Sequence, residues 1–281
     1  MLETKIVSVV KACTGKFGKN EIKQAQLDDF ENELVKFYSK FKSLNENETE
    51  EHFKNIFRDF LLNAFYNNKN YINTKSFAGL FGSDMVIHAT ADVNSRVEVL
   101  LEFKRPSNKT GMITKENLNK KAMFEAVLYY LQERMENNNI ELKYIIVTNL
   151  VEFFIFDAKQ FRKLFYENSI IRNIFGSWSS HQTDDDSTKQ MYDVISNQIC
   201  EMDKSINTIH FNLKDYTRFN TKTNKSKIKQ LYQILSPRFL FKETAKQDSN
   251  ELNKDFYNEL LLLCYRHHKS LNLIFEIQYY L

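Results

Sequence analysis

The amino-acid sequence predicts an α/β protein in which helices pack against a compact sheet. Glycine (6) and proline (2) are scarce in the 281 residues, which disfavours turn-rich all-β barrels and sandwiches. Apolar residues recur with a helical period in some segments, while short runs rich in β-branched residues are typical of strands. Because 42% of the residues are hydrophobic and 14% aromatic, the chain can bury a large core.

Composition also excludes several classes of protein. The three cysteines, Cys13, Cys200 and Cys264, are far apart and form no C-x-x-C pattern, which argues against a structural zinc site and a disulfide framework. No membrane span or secretion signal is evident, so we expect a cytoplasmic protein. The net charge is only +3, but basic residues concentrate in 102–121 and 218–242.

Hydrophobic patterning predicts the order of elements in the first half of the chain. The clearest signal is the recurrence of apolar residues from Phe53 to Phe65, which is typical of an amphipathic helix. The predicted order is a helix over 50–66, strands over 84–88 and 97–104, a helix over 117–134, and strands over 143–148 and 151–157. Further helices are expected around 190–202, 227–235 and 253–266.

A segment dense in Ser, Asp and Thr predicts an exposed loop at 177–187. We therefore divide the chain into a first domain, 1–176, and a mostly helical extension, 188–281, with this loop as the boundary. The alternative for the extension is a helical docking surface for a partner.

The candidate chemistry lies on the two strands that carry Asp84 and Glu102. If these strands form an antiparallel hairpin that is symmetric about Val93, Asp84 lies opposite Glu102, with the two Cβ atoms about 4.5 to 5.5 Å apart. Lys104 lies on the same face as Glu102, because side chains alternate along a strand. The sequence therefore predicts two adjacent carboxylates with an ammonium group beside them.

Paired carboxylates repel unless a cation lies between them, and Mg²⁺ prefers such hard oxygen ligands, with Mn²⁺ as a substitute. Asp84, Glu102 and the backbone carbonyl of Phe103 are the candidate ligands. Lys104 could orient a metal-bound water, and its pKa should fall beside the metal. The alternative, a solvent-facing strand edge, leaves Leu100 unexplained on the exposed face.

Residues 50–165 resemble the nuclease domain of the PD-(D/E)xK superfamily, and more narrowly the N-terminal endonuclease region of fused type IIG restriction-modification enzymes. The resembling runs are EEHFKNIFRDFL, YINTK, SDMVIH, VEVLLEFKRPSN, NLNKKAMFEAVLYYLQER and YIIVTNLVEFFIFDA. The resemblance implies a restriction-endonuclease-like mixed sheet flanked by helices, and Mg²⁺-dependent cleavage of double-stranded DNA. It implies that Asp84 and Glu102 bind the metal and that Lys104 positions the water.

The resemblance also implies further site residues. A Glu from the first helix often joins the site, and we prefer Glu50 to Glu51, although an acid that favours the helix N-terminus is equally compatible. The helix after the second strand often carries a Gln followed four residues later by a Tyr, and the matching positions are Glu125 and Tyr129. The first of these departs from the pattern, and a salt bridge from Glu125 to Lys121 is an alternative role for it.

Polar and basic residues around the site would suit contacts with DNA phosphates. The candidates are Asn73, Lys75, Arg105, Asn108, Lys120, Lys121 and, by its place in the pattern, Tyr129. Each of the charged candidates could instead be an ordinary surface charge.

The resemblance finally bears on cofactors and partners. A fused enzyme would carry a methyltransferase, whose N-P-P-Y-like motif cannot occur in a chain with prolines only at 106 and 237. We therefore expect no S-adenosylmethionine site, and an expressed fragment or a shortened gene that stops before any methyltransferase. We expect the partner to be either a methyltransferase or specificity polypeptide, or a second copy of the chain in a transient homodimer on DNA. The alternative function is a catalytically silent DNA-binding or partner-docking module.

Overall fold

The computed structural model describes residues 1–14, 22–45, 48–66, 70–73, 84–180, 185–217 and 222–242. These residues belong to one compact unit, Met1–Glu243, and a second unit, Thr244–Leu281, lies outside them. The helix predicted over 253–266 and the candidate Lys75 therefore fall outside the described residues.

The described strands form one seven-stranded mixed sheet, as the α/β prediction requires. The strands are β1 (Glu3–Val7), β2 (Ile72–Asn73), β3 (Met85–His88), β4 (Val97–Phe103), β5 (Tyr144–Thr148), β6 (Glu152–Asp157) and β7 (Ser205–Asn212). Their order in the sheet is β1-β7-β6-β5-β4-β3-β2, and the pairs β1 with β7 and β4 with β5 are parallel. All seven residues of β4 are buried, as expected of a strand covered on both faces.

Helices cover both faces of the sheet. They are α1 (Val9–Cys13), α2 (Gln24–Ser43), α3 (Glu50–Leu61), α4 (Lys121–Met135), α5 (Ala158–Phe161), α6 (Ser169–Ser180), α7 (Asp185–Glu201), α8 (Lys222–Leu235) and α9 (Pro237–Leu240). Helices α4, α6 and α7 pack on one face, and α1, α2, α3, α8 and α9 pack on the other. No described helix is both long and apolar enough to cross a membrane.

Local sequence explains where the helices near the site begin. Helix α3 begins at Glu50 because the Thr49 side chain accepts a hydrogen bond from the His52 N–H at 3.3 Å, and two acids occupy its first turn. The second predicted helix, 117–134, begins later than expected, at Lys121. The residues before it are not helical because the Thr114 and Asn117 side chains accept backbone hydrogen bonds in a turn.

Within the segment 177–187, predicted to be an exposed loop, the described residues 177–180 and 185–187 are helical. Helix α6 continues to Ser180 and α7 begins at Asp185. Trp178 is buried, and its Nε1 donates to Thr188 Oγ1 at 3.2 Å, which ties the two helices together. Apolar burial of the indole thus outweighs the turn propensity of its neighbours.

The described part of 188–281, the segment predicted to be mostly helical, contains a strand as well as helices. Strand β7 lies between β1 and β6, inside the sheet, so residues 185–217 and 222–242 are part of the same compact unit as the preceding residues. A deletion of everything after Ser187 would therefore remove an interior strand.

Candidate active site

Strands β3 and β4 bring Asp84 and Glu102 to the same end of the sheet. Met85 pairs with Leu101, Val86 with Leu100 and Ile87 with Val99, so the ladder extends to place Asp84 opposite Glu102. This is the predicted register. The register shifts between Ile87 and His88, so the hairpin is not symmetric about Val93 at its tip.

Asp84 is held by two donors from different elements. Its Oδ1 accepts from Lys54 Nζ at 2.9 Å, and its Oδ2 accepts from the Phe103 N–H at 2.8 Å. Lys54 comes from α3 and is only 8% exposed. Burial lowers the pKa of Lys54, but the charges and hydrogen bonds of Asp84 and Glu51 together raise it by more, so the pKa is raised overall and the ammonium group stays charged.

Glu102 and Lys104 form the centre of the site. Both are buried, and Lys104 Nζ donates to Glu102 Oε1 and, at 2.9 Å, to the Phe103 carbonyl. The same nitrogen lies 2.6 Å from Glu125 Oε2. Burial lowers the pKa of Lys104, but the charges of Glu102 and Glu125 raise it well above its usual range. The predicted fall in pKa beside a metal is therefore not a property of the metal-free site.

The surroundings of Glu102 disfavour its ionised form. Burial and, next, the charge of Asp84 raise the pKa of Glu102 well above its usual range, although Lys104 opposes this shift. Glu102 Oε2 is buried and has no hydrogen-bond partner among the residues that the structure describes. A buried carboxylate oxygen of this kind is a position where a cation would bind favourably.

Two further acids border this centre. Glu50 Oε2 accepts from the Arg105 N–H at 3.2 Å, and burial raises the pKa of Glu50, with the charge of Asp84 adding to the shift. Glu51 Oε2 lies 3.2 Å from Lys54 Nζ, and the Glu51 side chain is 46% exposed. Lys121 Nζ lies 3.6 Å from Glu125 Oε1, so the alternative ion pair exists beside the contact of Glu125 with Lys104.

Two tyrosines have pKa values that the acids of the site shift. Burial and, next, the charges of Glu102 and Asp84 raise the pKa of the Tyr129 phenol. Tyr192, on α7, hydrogen-bonds Glu125, and its pKa is raised by burial and by that acid. Helix α7 thus contributes to the site although it lies beyond the domain boundary predicted from the sequence.

Lys54 and Tyr192 were not among the predicted site residues. A signal for Lys54 was available, because Glu50, Lys54 and Phe57 follow one another along the inward stripe of α3. Tyr192 had no such signal, since it reaches the site only through the packing of α7 against α4.

Charge and ligand chemistry of the site fit a divalent cation. We call Glu50, Asp84, Glu102 and Glu125, with Lys54 and Lys104, the carboxylate cluster. If all are ionised, four carboxylates and two ammonium groups leave a formal charge of −2, which one divalent cation would balance. Asp84, Glu102 and the Phe103 carbonyl are the oxygens that the sequence predicts as ligands of such a cation.

The arrangement is nonetheless not a completed metal site. Among the residues that the structure describes, no three His, Cys, Asp or Glu side chains are placed together so as to hold a metal ion. Lys104 Nζ already contacts Glu102 and the Phe103 carbonyl, two of the three candidate ligands. Metal binding through these oxygens therefore requires the ammonium group to move.

The remaining candidates lie at varying distances from the cluster. Arg105 and Lys121 are exposed, and Lys120 is half-buried, so their charges can reach solvent. Asn108 has a local role, because its Oδ1 accepts from the Gly111 N–H at 3.0 Å. Asn73 pairs with Val86 and lines a cavity of about 410 Å³ with His88, away from Glu102.

Comparison with known proteins gives a family but no activity. No curated protein and no solved structure matches the chain. One family model, described as a domain of unknown function (DUF7149), matches residues 7–248. Because this match spans most of the chain, the protein belongs to the DUF7149 family.

Proposed function

We propose that this protein is a Mg²⁺-dependent DNA endonuclease of the PD-(D/E)xK type, which hydrolyses phosphodiester bonds in double-stranded DNA. The observation that carries the proposal is the convergence of Asp84 and Glu102 at one end of β3 and β4, with Lys104 in contact with Glu102. Buried acids with raised pKa values, gathered from separate elements, are typical of catalytic sites.

In this proposal the residues of the cluster have separate roles in hydrolysis. A bound Mg²⁺ would lower the pKa of a water molecule and neutralise charge that develops on the phosphate. Asp84 and Glu102 hold the cation, and the hydrogen bonds from Lys54 and the Phe103 N–H fix Asp84 in place. Lys104, released from Glu102, would orient the attacking water and stabilise the anionic transition state.

Surface charge around the cluster supports a DNA substrate. Arg105, Lys120 and Lys121 are at least partly exposed, and lie directly after β4 and at the start of α4. Such side chains suit contacts with phosphates, which position DNA without reading its sequence. A relation to the cleavage domain of type IIG restriction-modification enzymes is part of the proposal, and it rests on the sequence resemblance.

The alternative is a catalytically silent DNA-binding or partner-docking module. One observation favours it, namely that the ammonium group of Lys104 already occupies the space between Glu102 and the Phe103 carbonyl. If this ion pair is too stable to open, the cluster would be a structural feature.

Plasmid cleavage separates the two functions. The full chain is incubated with supercoiled DNA in Mg²⁺, in Mn²⁺ and in EDTA. The variant Lys104→Ala and the control Glu98→Gln, which alters a buried glutamate of β4 outside the cluster, are treated in the same way. DNA binding by each protein is measured by gel shift. The proposal expects nicked or linear DNA with either metal, none in EDTA and none with Lys104→Ala. Equal DNA binding without cleavage in any lane would favour the silent DNA-binding module. The absence of both binding and cleavage would contradict the endonuclease and the DNA-binding module, and would leave the partner-docking module.

A further inference from the structure

Strand β1 forms one border of the sheet, and no described strand pairs with its outer edge. The Glu3 N–H donates to the Lys204 carbonyl at 2.9 Å, toward β7. Since backbone groups alternate in direction along a strand, the N–H and C=O of Thr4 and Ile6 face outward. An edge of this kind is a template for pairing with another strand.

Apolar side chains accompany this edge. Three of the large hydrophobic residues that are exposed in the described part of the chain lie within its first ten positions. They are Met1, Ile6 and Val10, with 60%, 44% and 51% exposure. Of the three, Ile6 lies on the edge strand itself.

We propose that β1 pairs antiparallel with β1 of a second copy of this chain, about a two-fold axis at Thr4. In this register Thr4 lies opposite Thr4 of the second copy, and the outward groups of the two threonines exchange hydrogen bonds. Glu3 then lies opposite Lys5 of the other copy on each side of the axis, so each dimer contains two cross-strand pairs of opposite charge.

The order of charges in β1 selects this register. An axis at Lys5 would place two lysines opposite each other and would use backbone groups that already face β7. An axis at Ile6 would place Lys5 opposite Val7 and leave Glu3 without a cation. Charged residues often protect an edge from pairing, but the sequence Glu3-Thr4-Lys5 is complementary to itself in antiparallel orientation.

The proposed interface is separate from the carboxylate cluster. Strand β1 is four strands away from β4 in the sheet, or about 19 Å at the usual strand spacing of about 4.8 Å. Glu3 and Lys5 are both exposed. Substitutions at these positions should therefore change association without changing the cluster.

A charge-swap experiment tests the interface. The mass of the full chain is measured by light scattering over a concentration series for the wild type, Glu3→Lys, Lys5→Glu and the double variant. We expect each single variant to raise the Kd of the dimer at least about tenfold, and the double variant to return it to near the wild-type value. A wild type that stays monomeric throughout, or a double variant as weak as the single ones, would overturn the proposal.

Cross-linking tests the register. With Cys200→Ser and Cys264→Ser as background, Thr4→Cys should form a disulfide-linked dimer, because a hydrogen-bonded antiparallel pair has its Cα atoms about 5.5 Å apart, within disulfide range. Ile6→Cys is the matched control and should cross-link poorly. Preferential cross-linking through position 6, or none through position 4 at concentrations where dimers form, would refute the register.

Discussion

Two buried glutamates on β4 occupy similar positions but have different charged neighbours. Glu98 and Glu102 lie on the same face of the strand, four residues apart, with 3% and 1% exposure. Glu98 Oε1 accepts from Arg96 Nε at 2.8 Å, and Lys143 Nζ lies 3.8 Å from its other oxygen. Because the Arg96 side chain is 57% exposed, this ion pair reaches solvent.

Glu102 has a different set of neighbours. Among the described residues it shares Lys104 with Glu125, and it lies near Asp84, whereas Glu98 has a solvent-exposed arginine to itself. The comparison teaches that a buried carboxylate alone does not indicate a functional site. The informative feature is the gathering of several acids from separate elements around too few cations, since that arrangement is unfavourable without a further positive charge.

The largest expected effect is on cleavage. Glu102→Gln should lower the rate of plasmid cleavage by about 10³-fold or more, because loss of the metal removes several kcal/mol of transition-state stabilisation. Glu98→Gln should keep the rate within about threefold, since a structural ion pair does not touch the reacting atoms. Single-turnover cleavage in Mg²⁺ measures both. Equal losses of cleavage rate in the two variants would show that Glu98 and Glu102 do not differ in their role in cleavage.

A smaller loss is expected when the support of Asp84 is removed. Lys54→Met keeps much of the side-chain volume but removes the donor to Asp84 Oδ1, and should reduce cleavage by about 10 to 100-fold, as for other groups that orient metal ligands. Raising the Mg²⁺ concentration should recover part of the rate. Lys54→Arg is the control that retains the charge, and a variant with Met that cleaves normally would show that Asp84 needs no such support.

Metal binding should also appear in thermal stability. At a metal concentration of about 100 times Kd, Mg²⁺ or Mn²⁺ should raise the Tm of the wild type by about 5 to 10 °C. The same addition should leave the Tm of Glu102→Gln unchanged and should raise that of Glu98→Gln as in the wild type. Differential scanning calorimetry provides this measurement without DNA. A shift in Glu102→Gln as large as in the wild type would place the metal elsewhere.

The smallest effect concerns a third carboxylate, Glu152 on β6. A hydrogen bond with His210, and one from Asn212 at 2.5 Å, lower the pKa of Glu152, the opposite of the shift at Glu102. An acid with a lowered pKa in the folded state contributes stability above its unfolded pKa, and this contribution is lost as the pH falls below about 4.5.

Glu152→Gln should therefore lower the free energy of unfolding by about 1 kcal/mol at neutral pH and by less as the pH falls through 4.5. Urea unfolding at several pH values measures the difference. Glu116→Gln, at an exposed loop position, is the control and should show no such trend. A loss at Glu152 that does not depend on pH would point to packing instead of charge.

Local sequence determined much of the fold near the candidate site. The predicted strands 84–88, 97–104, 143–148 and 151–157 each differ from the observed strands by one residue or less at either end. The register of Asp84 against Glu102 also followed from sequence, because alternation of side chains and hairpin pairing depend on neighbouring residues.

Tertiary packing decided the rest. Lys54 reaches Asp84 and Tyr192 reaches Glu125 only because α3 and α7 dock on opposite faces of the sheet. Strand β7 enters the sheet between β6 and β1, which no local pattern specifies because its partners lie about 50 and 200 residues earlier in the chain. The sequence thus determined which side chains share a face, whereas the docking of distant segments decided which charges meet.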